Sequence, residues 1–176
     1  MGNNAYKIFS TSEYGGKELA QVADMDIKQC TKDFLIVCYN YLLPNSYKKV
    51  LNNAAKNGLR QFLLTPYKFV KLVEILLSSD FHVKKIDFNP IIEPDDFIDL
   101  DVLLSHNDMA SFISILDAEI TYIDEELDSI PSKITFSKGG YDYSIYNNGI
   151  VFVEDDKLLI ELNDVFASLL NEKGAH

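Results

Sequence analysis

Nine of the ten residues in "FLIVCYNYLL" (34–43) are apolar. A β-branched and aromatic run of that length, with no polar alternation, suits a strand covered on both faces. Layers are therefore needed on either side of it, and the neighbouring segments can provide them. Pro44 and Asn45 end the run. Ser46 can cap a helix in which Tyr47, Val50, Leu51 and Ala54 keep helical spacing, and Gly58 can end it. "LRQFLL" (59–64) reads as a strand. Thr65 and Pro66 then open a second helix, in which Lys68, Lys71, Glu74 and the terminal serines form a narrow wet stripe. "FHVKKIDF" (81–88) supplies a third strand. Upstream, "YKIF" (6–9) reads as a short strand and "GGKELAQVADM" (15–25) as a weak helix. The β-α-β-α-β order predicts early strands that run parallel, with 34–40 and 60–64 central and joined by a crossover.

Beyond Pro94 the character changes. "FIDLDVLL" (97–104) alternates, with Ile98, Leu100, Val102 and Leu104 opposite Asp99 and Asp101, which predicts a strand with one wet face; a short helix is the alternative. "HNDMASFISILDAEI" (106–120) predicts a helix capped by Asn107 or Asp108, with Met109, Phe112, Ile113 and Leu116 on its apolar face. "KITFS", "YDYSIY", "GIVFVE" and "KLLIEL" read as short strands, with turns at Gly139-Gly140, at 147–149 and at Asp155-Asp156. "NDVFASLLNEKG" (163–174) closes as a helix. The expected fold is thus α/β: a single domain over residues 1–176, with a mixed sheet, an N-terminal β-α-β-α-β part, a C-terminal antiparallel meander and a closing helix. A chain of 176 residues that is 47% apolar can support one such core. No export signal or membrane span is read, and the expected location is cytoplasmic. Cys30 and Cys38 fit neither a metal pair nor a redox motif.

Charge is distributed unevenly along the chain. Residues 46–85 hold eight Lys or Arg and two acids, whereas 86–131 hold thirteen acids and no Lys or Arg, within a total charge of -11. Two arrangements follow. The basic segment can pack beside the acidic one and form a mixed surface, in which each exposed pair contributes about 0–1 kcal/mol. Alternatively the acids remain together as a negative face that attracts a basic partner and rejects phosphate backbones. The second arrangement makes Glu93, Asp95, Asp96, Phe97, Asp99 and Asp101 the candidate partner-binding residues, with Ile91, Ile92, Phe97 and Ile98 adding apolar contact. The partner is then a basic protein, such as one that binds nucleic acid, and the chain is an inhibitor, immunity or accessory factor. The eight cations of 46–85, with Tyr47 and Tyr67, are a rival nucleic-acid surface, which the total charge opposes.

Catalytic chemistry has weaker support. On a strand, Asp99 and Asp101 would lie about 7 Å apart on one face, close enough to share a divalent ion through water. A metal-dependent phosphoesterase or nuclease, in active or degenerate form, is therefore the alternative function. "PDDF" (94–97) with "EDDK" (154–157) resembles the acid and Asp/Glu-x-Lys set of restriction-type nucleases, but the lysine falls in a turn. His82-x-Lys84 followed by Asn89 resembles the His-x-Lys motif of phospholipase D-like enzymes, with Asn in place of Asp. His106 has a neighbouring acid but no recognisable nucleophile. No glycine pattern cradles a phosphate, and no cofactor or metal ligand set is assigned.

Overall fold

The computed structural model describes residues 4–11, 25–93, 97, 99–106 and 108–171. Two compact units are present: one built from the chain up to Leu63 and again from Asn148 onward, the other from Leu64–Asn147. The helix read at 15–25 lies outside the described residues, except for Met25.

The first unit contains β1 (Asn4–Ser10), β2 (Asp26–Cys30), β3 (Phe34–Asn40), α1 (Ser46–Lys56), β4 (Arg60–Gln61), β8 (Ile150–Val153), a 3₁₀ helix (Asp156–Leu162) and α5 (Asn163–Asn171). Its strands run in the order β2-β3-β1-β8, with β4 also on β1. β3 and β4 point the same way and are joined through α1, as expected of a crossover. Each nevertheless pairs antiparallel with β1, which lies between them, so the parallel neighbours read from the sequence are not in contact. β1 arrives first in the chain, and its apolar residues take the central place.

β3 is buried on both faces, as its composition requires. Leu35, Val37 and Tyr39 face α1 and join Ala5, Phe9, Val50, Ala54 and Leu59. Phe34 faces the other way and meets Phe166 of α5 edge-on at 5.8 Å, and Phe62 meets the same ring at 6.1 Å. Each such fully buried aromatic contributes about 2–3 kcal/mol through its removal from water.

Three local readings of this unit are corrected. "LRQFLL" contributes only two strand residues. Ser46 does not cap α1; its hydroxyl accepts from the Asn40 amide at 3.2 Å, while Asn45 precedes the helix without a side-chain bond. "KLLIEL" is 3₁₀ helix, because Asp155 caps the Lys157 amide at 2.9 Å and Leu159 and Leu162, three apart, both turn inward.

The second unit contains α2 (Pro66–Ser78), β5 (His82–Asn89), α3 (Leu100–His106), α4 (Met109–Leu127), β6 (Ile130–Lys138) and β7 (Tyr141–Tyr146). Its sheet order is β7-β6-β5, antiparallel throughout. The two-residue connection Gly139-Gly140 has φ of +60° and +86°, the geometry of a tight hairpin, which glycine adopts at no steric cost. Thr65 caps α2 through the Lys68 amide, with Pro66 at its first position, and Asp108 caps α4 through the Ser111 amide, as read from sequence. Phe112, Leu116, Ile120 and Ile123 form the buried stripe of α4, and α2 buries Phe69, Leu72, Val73 and Leu76. The strand read at 97–104 is corrected to α3: Leu100 and Leu103 are buried three apart, while Val102 is 54% exposed.

One position of the first unit departs from the ordinary pattern of a core. Lys7, between Ala5 and Phe9 on β1, is 0% exposed. Its Nζ donates to the Asn148 carbonyl, and among the described residues no carboxylate joins it. A Cβ on Gly149 (φ +75°) would collide with the Phe62 carbonyl and crowd the same Nζ, so glycine is needed there. Burial pushes the Lys7 ammonium down from 10.5 to about 8. Burial, with Asp26 adding, pushes the Cys38 thiol up from 9.0 to about 11. Burial, with Cys38 and Asp156 adding, pushes Tyr6 up from 10.0 to about 12. The two directions act oppositely on stability. Above pH 8 folded Lys7 loses a proton that the unfolded chain keeps until about 10.5, so stability rises with pH. From pH 9.0 the unfolded chain loses the Cys38 proton that the fold retains, and from 10.0 that of Tyr6, so stability falls. Urea midpoints at fixed ionic strength are expected to climb above pH 8, level off between pH 9.0 and 10.0, where the Lys7 gain and the Cys38 loss cancel, and decline above 10.0. Lys7→Met is expected to abolish the climb and keep the decline; a variant that still climbs contradicts this account.

Candidate functional site

The second unit has a groove of about 540 Å³ along β5. Five consecutive strand residues, Lys84 to Phe88, line it on one side, and 91–93, Phe97 and 99–101 on the other. Side chains of a strand alternate between faces, so a cleft that touches five in a row follows the backbone edge and does not lie on one face.

Phe97 rests half-buried on Phe88, with ring centroids 4.9 Å apart and planes at 62°. That contact anchors the outer wall. Asp99 then starts α3 by accepting from the amides of Asp101 at 2.9 Å and Val102 at 3.2 Å, while Leu100 is buried beneath. Ile91 projects from the same wall and is 92% exposed.

The lysines of the inner wall are already engaged. Lys84 reaches Asp142 of β7 at 2.5 Å, and Asp87 receives Lys85 at 2.5 Å and Lys133 of β6 at 2.7 Å. Burial opposes ionisation of Asp87, but the Lys133 and Lys85 ammoniums outweigh it and hold the carboxyl below its ordinary range. The same contact raises Lys133. Glu93, Asp99 and Asp101 are exposed, and among the described residues none of them meets a lysine or arginine. One ion pair between the basic segment 46–85 and the acidic segment 86–131 is that of Lys85 with Asp87.

Of the residues expected at a partner-binding face, Glu93, Phe97, Asp99 and Asp101 converge on this groove, and Asp95 and Asp96 lie outside the described residues. The sequence "KKIDF" marks a strand but not the inner wall, since an edge becomes a wall only once the chain folds back after Asn89. The strand on which Asp99 and Asp101 would lie on one face is not formed: they stand at the start of α3, where Oδ1 of Asp99 accepts from the amides of Asp101 and Val102. No group of three His, Cys, Asp or Glu stands ready to hold a metal among the described residues. Pro94, Asn107 and the side chain of His106 lie outside the described residues. Asp155 of "EDDK" serves as a cap, His82 is exposed, and Lys84 is bound to Asp142. Cys30 is exposed and Cys38 buried, both as free thiols. No helix among the described residues is long and apolar enough to cross a membrane.

Compared with known protein families, curated proteins and solved structures, the chain matches none of them.

The cap and the charge of Asp99 are separable. Asp99→Ala is expected to lower unfolding stability by about 1 kcal/mol, and Asp99→Asn by only a few tenths, because Asn caps as well as Asp does. Urea denaturation of both variants measures this; equal losses would show that the charge, not the cap, holds α3 in place.

Proposed function

We propose that this protein is a non-enzymatic interaction protein, an inhibitory, immunity or accessory factor, whose groove beside β5 receives a basic segment of another protein. The observation that carries the proposal is that, among the described residues, no lysine or arginine meets Glu93, Asp99 or Asp101 beside the apolar lining of the groove. The groove's described lining holds four acids and two lysines, and both lysines are ion-paired with carboxylates of their own sheet. Carboxylates without counter-charges, set beside the 92% exposed Ile91, form a surface whose electrostatic and apolar needs are both unmet in the isolated chain. A Lys or Arg side chain meets both, since its methylenes cover Ile91 and Phe97 and its head group reaches the acids. A nucleic-acid backbone would be repelled at the same place.

Steering of this kind governs association more than dissociation. Raising ionic strength from 0.01 M to 0.15 M shortens the Debye length from about 30 Å to about 8 Å, and binding to a basic partner is expected to slow accordingly. The test compares proteins captured from the native cell by the wild type and by Glu93→Lys/Asp99→Asn/Asp101→Lys, which reverses the charge and keeps the cap. Basic proteins held by the wild type, released by salt and absent from the triple variant are the expected result. Identical captures from both chains would overturn the proposal. Ile91→Ser, at a position too exposed to support the fold, is expected to speed dissociation of the same partner.

A further inference from the structure

We infer that the basic segment binds as an extended strand added to the outer edge of β5. This rests on the proposed function above and specifies how the partner is recognised. Among the described residues β5 forms a ladder only with β6, so its outer edge is unpaired. No described backbone hydrogen bond links Lys84–Phe88 to the opposite wall of the groove. An open edge presents backbone donors and acceptors that another strand can pair with.

Proteins commonly protect such edges with lysines that project over them. Here that protection is drawn aside. Lys84 lies across the sheet to Asp142, two strands away, and Lys85 is held by Asp87, which also takes Lys133 from β6. Register irregularities between Val83 and Lys85 and between Asp87 and Phe88 confine the regular edge to Lys85–Asp87, enough for about two backbone hydrogen bonds to a visitor. So short a ladder needs further contacts from side chains. Along one face of an incoming strand, alternate residues would meet Ile91 and Phe97, and basic residues would meet Glu93, Asp99 and Asp101. Charge thus selects a Lys- or Arg-bearing extended segment.

The probe is a capped heptapeptide alternating Lys and Val, titrated calorimetrically into the full chain at low and high salt. Two analogues are N-methylated, one at every Val and one at every Lys. A strand's amides alternate between its edges, so only one analogue loses the donors that face β5. The expected results are binding that weakens with salt, slower amide exchange within Lys85–Asp87 at saturation, and affinity lower by about tenfold for one analogue only. If the parent peptide binds but β5 exchange is unchanged and both analogues bind as it does, strand addition is overturned and the acidic groove stands. If the parent does not bind even at low salt, the acidic groove itself fails, and strand addition with it. If sedimentation shows a dimer in which β5 amides are protected without peptide, the edge belongs to a second copy of this chain and the inference is overturned.

Discussion

The candidate site depends on one half-buried carboxylate. Asp87 gathers Lys85 and Lys133 over the face of their sheet and keeps both from the far side of the groove. A free ammonium on that face would add unpaired positive charge near the groove and weaken the field of its acids. Asp142 does the same for Lys84. The negative potential of Glu93, Asp99 and Asp101 is therefore a product of pairing elsewhere in the sheet as well as of composition.

What could be read from the chain was local. The double-sided burial of β3 follows from nine apolar residues in ten, and the starts of α2 and α4 follow from Thr65-Pro66 and Asp108, each acting within one turn. What could not be read was partner choice. A ladder between β1 and both β3 and β4 joins residues far apart in sequence, and the apolar pattern of each strand fits several neighbours equally well. Residues 97–104 show a different kind of ambiguity. Leu100, Val102 and Leu104 suit a strand, Leu100 and Leu103 suit a helix, and the deciding factor is the Asp99 carboxylate bonding two amides ahead of it.

The site divides along the same line. Its acids stood out because no lysine or arginine occurs between residues 86 and 131, a property of composition alone. Its inner wall did not, since Lys84–Phe88 becomes a wall only when Phe97 returns to Phe88. Lys7 was equally hidden. In "YKIF" a lysine within an alternating strand looks like a surface position, and only a second layer over β1, together with the Asn148 carbonyl, turns it inward.

That carbonyl has a consequence for how the chain is made. The first unit is discontinuous: the chain leaves it at Leu63 and returns at Asn148. During synthesis β1, β2, β3 and α1 emerge together, yet β8, the acceptor for Lys7 and the Phe166 ring that covers Phe34 follow only after the whole of the second unit has been made. Domains generally fold as units, N-terminal first, as synthesis proceeds. In this chain the later unit is finished first, and the amino-terminal strands wait with one edge and one face uncovered until the carboxyl-terminal segment arrives.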